Sequence, residues 1–84
     1  MRKTVLITGT SSGIGEATAL RFQRAGWNVS ATLRDPAKAV GVHSLPHVAC
    51  LPLDVTRERS IRTAVEATLD RFGSLDVLVN NAAY

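Results

Sequence analysis

The run Thr8-Gly9-Thr10-Ser11-Ser12-Gly13-Ile14-Gly15 constrains this chain more than any other feature. It follows the apolar stretch Val5-Leu6-Ile7. Beyond it, Ile14, Thr18, Phe22 and Ala25 recur at helical spacing, with Ala17 and Arg21 alongside. A buried strand that passes through a glycine-rich turn into a helix has few ways to fold, because the helix must pack back onto the strand. The first N–H groups of such a helix have no partner within it and carry partial positive charge, so the turn suits a phosphate.

The spacing is G-x-x-x-G-x-G, not the commoner G-x-G-x-x-G of dinucleotide folds. Gly9 can leave the strand in a conformation closed to other residues. Gly13 lets the backbone approach a diphosphate, and Gly15 lets the helix lie close against the sheet. Thr10, Ser11 and Ser12 supply hydroxyls between them. Alone, such a loop also fits an ordinary tight turn. The strand before it and the helix after it add weight.

The rest of the chain alternates in the same way. Residues 4–8 suit a buried strand, and Gly26 is placed to end the first helix in a left-handed cap. Residues 29–33 read as a second strand. Asp35-Pro36 reads as an N-cap with proline at the first helical position, leading into a short helix over 37–40 that Gly41 ends. Residues 47–53 form a third strand, at a sheet edge because Pro52 cannot donate a ladder hydrogen bond. Thr56 is the expected N-cap of a helix carried by Ile61, Val65, Leu69 and Phe72 and stopped by Gly73. Residues 76–80 form a fourth strand whose nearly continuous apolar run suits a parallel sheet.

The order β-α-β-α-β-α-β predicts an α/β fold: a partial, Rossmann-like, doubly wound parallel sheet with strand order 3-2-1-4. Residues 1–84 are expected to form one incomplete dinucleotide-binding domain. The fourth strand then lies at the other edge. An uncovered apolar edge invites pairing, so either more of the chain or a partner belongs beside it, and self-association through that edge is one such arrangement.

Composition narrows the function. The apolar share of 45% fits a packed segment. The net charge of +3 comes from scattered residues, with no dense basic run or interleaved aromatics to suggest nucleic acid. It still favours an anionic ligand. The apolar clusters are too short to span a membrane, and Thr4 to Ile7 is too short for a signal segment, so a cytoplasmic location is expected. Cys50 is the single cysteine, so no disulfide forms within one chain, and with only His43 and His47 nearby no metal site is expected.

Two further segments complete a family pattern. Leu53-Asp54-Val55-Thr56 follows the third strand and Asn80-Asn81-Ala82-Ala83 follows the fourth. With Thr8-Gly9-x-x-x-Gly13-Ile14-Gly15, they resemble the short-chain dehydrogenase/reductase family in its order and spacing, over the N-terminal third or so of a typical member. The resemblance implies that Gly9, Thr10, Ser11, Ser12, Gly13, Ile14 and Gly15 cradle the phosphates and adjoining ribose. It implies that Asp54 accepts a hydrogen bond from the adenine amino group, with the Val55 backbone at the adenine edge. Asn81 and Ala82 would line the ribose side, and the Asn-Asn pair would tie the central strands together. Ala83 departs from the family's usual glycine, which implies tuning of the site and not its loss. On the residues alone, Asp54 also reads as a turn or capping residue beside Thr56, and Asn80-Asn81 as ordinary turn chemistry.

The end of the second strand bears on which cofactor is preferred. An NAD site places a carboxylate there for the ribose hydroxyls, and an NADP site a cation. Here the residues are Leu33-Arg34-Asp35. The family's acidic position falls on Leu33, and Arg34 takes the place that is basic in NADP-preferring members. Asp35 has its own role in capping. Arg34 is therefore expected to hold the 2′-phosphate and stack on adenine, giving a preference for NADP(H).

Family catalysis uses a serine and a Tyr-x-x-x-Lys pair. Tyr84 is the single tyrosine and the last residue, so no catalytic residue is assigned. The expectation is an NADP(H)-binding segment of a short-chain dehydrogenase/reductase, whose full-length form transfers hydride between nicotinamide and a carbonyl or alcohol. The alternative is a non-catalytic dinucleotide-binding or interaction fragment.

Overall fold

The computed structural model describes residues 2–81. The expected positions Ala82 and Ala83, and Tyr84, lie outside the described residues. The sheet has four strands: β1 (Thr4–Ile7), β2 (Asn28–Leu33), β3 (Val48–Pro52) and β4 (Val77–Val79). All neighbours pair in parallel and the order is β3-β2-β1-β4, as expected. Two helices accompany it, α1 (Gly13–Arg24) and α2 (Glu58–Phe72).

Strand periodicity divides the core into two faces. Val5 and Ile7 of β1, with Val29 and Ala31 of β2 and Val48 of β3, pack with Ala19 of α1. Leu6 points the other way and packs with Leu53 and with Ala64 of α2. The second face also buries a polar pair. Thr68 of α2 donates to the Ala64 carbonyl at 2.8 Å, which leaves Ser30 of β2 to donate to Thr68 Oγ1 at 2.7 Å.

The end of α1 is a Schellman turn. Gly26 N–H donates to Gln23 O and Trp27 N–H to Phe22 O, with Gly26 at φ 91°. The accompanying apolar contact is a T-shaped ring pair between Phe22 and Trp27, with centroids 4.9 Å apart. Gly73, at φ 81°, ends α2 as the sequence indicates.

Besides one-residue shifts at strand ends, three local features differ from expectation. The helix expected over 37–40 is two 3₁₀ turns, Pro36–Lys38 and Gly41–Ser44. Asp35 caps the first, accepting from Ala37 N–H at 3.0 Å, but Gly41 begins the second turn instead of ending a helix. The break between the two turns lets Val42 be drawn into the core. Thr56 is not the N-cap of α2; Arg57 occupies that position. The Thr56 hydroxyl instead donates to Asp54 Oδ1 at 2.6 Å, which holds it in the preceding turn. Ile14, read as the first apolar residue of α1, is 76% exposed. Helix α1 meets the sheet through Gly15 and Ala19, which rotates Ile14 outward.

The Ser30–Thr68 pair makes a testable case. Thr68→Val leaves the Ser30 hydroxyl buried without its acceptor and should cost about 1–3 kcal/mol. Adding Ser30→Ala removes the stranded group and should recover part of that loss. Denaturant unfolding of the single and double variants measures it; strictly additive losses would contradict the pairing.

Candidate functional site

The carboxyl ends of the parallel strands all face one edge of the molecule, where open α/β sheets take ligands. The glycine turn leaves β1 there. Gly9 and Gly13 sit at φ 68° and 62°, a region that non-glycine residues rarely occupy. The Thr10 backbone N–H donates to the Thr32 carbonyl of β2 at 3.1 Å, so the turn bends across the end of the neighbouring strand.

The glycines separate into two kinds. A Cβ on Gly15 would fall onto the Gly9 carbonyl and 2.7 Å from Asn81 Nδ2. The sequence anticipates close packing of the helix at Gly15 against the sheet; the contact found is with the turn at Gly9. A Cβ on Gly13 would meet nothing within 4 Å. Gly13 therefore presents its backbone to open space at the start of α1, where a diphosphate can approach. Ser12 occupies the N-cap position in extended conformation, and its side chain makes no capping hydrogen bond. Ser12, Gly13 and Ile14 are exposed, Ser11 is half-buried and Thr10 is fully buried.

The asparagines close the turn from β4. Thr8 Oγ1 donates to Asn80 Oδ1 at 3.1 Å and accepts from Asn81 N–H at 2.9 Å. Asn81 Nδ2 donates to the Gly9 carbonyl at 3.2 Å. These bonds join the ends of β1 and β4 and brace the turn.

A second cluster forms at the ends of β2 and β3. Leu53 N–H donates to Leu33 O at 2.9 Å, which brings Asp54 beside Arg34. Asp54 Oδ2 lies 3.8 Å from Nε of both Arg34 and Arg57. Its Oδ1 accepts from Thr56 N–H and Oγ1, and its own N–H donates to Ser60 Oγ at 2.8 Å. The Thr56 hydrogen bonds, aided by the two arginines, hold the Asp54 carboxyl below its usual range. Val55 is half-buried and borders a cavity of about 150 Å³ under α2, with Leu6, Leu53, Ile61, Val65 and Leu78.

The structure thus brings together Gly9, Gly15 and Asn81 in one contact, and Arg34 with Asp54 in another. Two neighbours of these groups were not evident from sequence. Arg57 reads as part of a solvated helix face, yet it stands at the N-cap of α2 and reaches Asp54. His43 stands in the sequence only as one of two histidines near Cys50, yet it is buried and its Nε2 lies 2.8 Å from Thr10 Oγ1. The Arg57 contact is local, three residues from Asp54, whereas the His43 contact depends on the sheet order.

Asp54 and Gly15 give separate tests. Asp54 has a native value below its unfolded one, so the native state holds fewer protons there. Its contribution is full above the ordinary aspartate range and is lost as pH falls through the lowered native value. Asp54→Asn should flatten that acid limb of the stability–pH curve and leave neutral pH as its new plateau. Gly15→Ala should cost about 3 kcal/mol through overpacking. Gly13→Ala, strained in backbone but unobstructed, should cost about 1–2 kcal/mol. Thermal unfolding of both variants would show the order reversed if Gly15 were not the packing contact.

Known proteins share this fold. The family model described as short chain dehydrogenase matches residues 3–84. L-fucose dehydrogenase of Bos taurus is 42% identical over 83 residues, covering 98% of this chain and 31% of that protein. Sorbitol dehydrogenase of Cereibacter sphaeroides is 45% identical, covering 96% of this chain and 32% of that protein. The chain therefore spans about a third of the length of these relatives. Among solved structures, 3-ketoacyl-(acyl-carrier-protein) reductase from Brucella melitensis, complexed with NADH, superposes with TM-score 0.84 at 38% identity over 90% of this chain and 32% of that one. Hydroxysteroid dehydrogenase from Escherichia coli superposes with TM-score 0.90 at 28% identity, over 98% of this chain and 37% of that one. With a matched family model along nearly its whole length and the same parallel sheet, this chain belongs to the short-chain dehydrogenase family of nicotinamide-dinucleotide oxidoreductases.

Proposed function

We propose that the chain binds NADP(H) along the carboxyl ends of its strands, as the cofactor-holding part of an oxidoreductase domain. In that protein hydride passes between nicotinamide and a carbonyl or alcohol carbon. The observation that carries this reading is the contrast at the turn: Gly15 sealed against the Gly9 carbonyl, Gly13 open. Packing explains the first glycine and a positive φ the second, and because nothing lies within 4 Å of a Cβ on Gly13 the start of α1 stays open to a diphosphate.

The residues of the site divide the ligand between them. Gly9, Thr10, Ser11, Ser12, Gly13, Ile14 and Gly15 form the diphosphate turn. Asp54 and Val55 take the adenine side, Asn81 and Ala82 the ribose side, and Arg34 the 2′-phosphate. The bound nicotinamide supplies the hydride chemistry; these residues hold and orient the rest of the molecule.

Charge supports NADP(H) over NAD(H). Two guanidinium groups flank the one carboxylate of Asp54, so the cluster carries a net positive charge beside the end of β2. Arg34 is 59% exposed in its side chain and can turn toward a phosphate. The NADH in the Brucella structure is a property of that protein, and supports a dinucleotide without choosing between the two.

A second reading, that the chain acts as a non-catalytic binding or interaction module, draws on β4. Val77 and Leu78 are 38% and 60% exposed, and the strand pairs with β1 alone. Self-association through that edge would cover them. A cytoplasmic setting belongs to the same proposal, as does a small-molecule ligand in place of nucleic acid or membrane. Among the described residues no helix is long and apolar enough to cross a membrane.

Titration with NADPH and NADH, followed by nucleotide fluorescence, tests the proposal. NADPH should bind more tightly. Arg34→Ala should weaken NADPH about 10- to 100-fold, the equivalent of one charge-assisted contact, and leave NADH nearly unchanged. Tighter binding of NADH to the unaltered protein would defeat the NADP(H) assignment.

A further inference from the structure

Thr10 holds the one hydroxyl of the glycine turn that is fully buried. It donates to the Thr32 carbonyl at 2.9 Å, and the Thr10 backbone N–H donates to that same oxygen. With its single proton committed, Thr10 Oγ1 can only accept from His43 Nε2, 2.8 Å away. The other ring nitrogen, Nδ1, lies 3.0 Å from Val40 N and 3.2 Å from the Val40 carbonyl oxygen. Donor and acceptor accounting at Thr10 therefore places a proton on Nε2. The relay runs from Val40 through His43 and Thr10 to Thr32.

The ring is 7% exposed and comes from the short 3₁₀ connection between β2 and β3, outside every motif of the dinucleotide pattern. The same connection lies along α1: Gly41, Val42 and Leu45 share a cavity wall with Gly13, Glu16 and Ala17. A buried imidazole thus ties the turn that carries Gly9 and Gly13 to a segment anchored in the core by Val42.

We propose that His43 is a positioning residue for the dinucleotide: acting through Thr10, it fixes the diphosphate turn against the end of β2 and so sets the affinity of that turn. The inference rests on the dinucleotide-binding reading. Its physical basis is preorganisation. A turn already held in the receiving conformation loses less conformational freedom on binding, so loosening it lowers affinity without removing any ligand contact.

The test is NADPH titration of the unaltered protein and of Thr10→Val, Thr10→Ser and His43→Phe, each first shown to unfold cooperatively. Thr10→Val keeps the shape and removes the hydroxyl; Thr10→Ser restores it. Thr10→Val and His43→Phe should each weaken NADPH about three- to tenfold, the equivalent of one hydrogen bond, and Thr10→Ser should bind within about twofold of the unaltered protein. In parallel, the ring nitrogens of His43 in the unaltered protein, followed by ¹⁵N NMR, should report a proton on Nε2 and shift on saturation with NADPH. Equal affinity across folded variants, or ring nitrogens unmoved at saturation, overturns the role of His43 and leaves dinucleotide binding standing. Absence of any NADPH or NADH binding to the unaltered protein overturns both. If the variants do not fold, the nitrogen shifts decide alone.

Discussion

The contact between α1 and the turn before it is the constraint on which the rest depends. At Gly15 the helix lies so close to the Gly9 carbonyl that no side chain fits between them. That approach fixes the direction in which α1 leaves the sheet. It also turns Gly13 outward and gives Asn81 a carbonyl to bind. Remove the close approach and the helix must lift, which would withdraw its first N–H groups from the strand ends. Under the proposed reading, packing and ligand reception become one geometric requirement, imposed by two glycines, Gly13 and Gly15, with opposite surroundings. The sheet side of the turn is rigid because Thr8, Thr10 and Asn81 each bond across strands, so the open side needs no contacts of its own to hold its shape.

Much of the fold is legible in the sequence because local rules and the global sheet agree. The β-branched run at Val5 to Ile7, the terminators Gly26 and Gly73, and the cap at Asp35 are short-range signals, and each acts within a few residues. What was not legible lies in competing local contacts and in packing. Thr56 has the chemistry of an N-cap, but its hydroxyl and N–H both donate to Asp54, which holds Thr56 in the turn before α2 and leaves Arg57 at the cap position. Gly41 has the chemistry of a helix stop, but core burial of Val42 recruits it into a second turn. Ile14 fits the helical period, yet the small residues Gly15 and Ala19 define the buried stripe, so the apolar pattern misjudges the face by about one position. For the site, the glycine spacing located the turn, whereas His43 became visible only once β1 and β2 were placed side by side, and Arg57 only once the turn after Asp54 was seen to bring it back to that carboxylate.

The two faces of the sheet are built differently, and this bears on stability. The α1 face is apolar throughout its buried cluster and gains a second layer from the 3₁₀ connection. The α2 face has a smaller buried cluster, a polar Ser30–Thr68 contact and a cavity of about 150 Å³ reaching Leu78. Helix α2 also leaves Ile61 and Leu69 exposed, at 38% and 44%. Together with Val77 and Leu78 of β4, and Ile14 of α1, they are the exposed large apolar side chains among the described residues. The larger buried apolar cluster lies on the α1 side, where the glycine turn also lies.

The Asp54 cluster brings charge to the strand ends. Thr56 holds one carboxylate oxygen in the turn before α2, which aims the other at the arginines. The carboxylate neutralises part of the repulsion between two guanidinium groups gathered at the strand ends. At 3.8 Å and with exposed arginines, these pairs are too loose and too solvated to contribute much stability. Their effect is positional. Arg34 stands beside the end of β2, 3.8 Å from the Asp54 carboxylate, and under the proposed NADP(H) reading a doubly charged phosphate there would compete with that single carboxylate for its guanidinium.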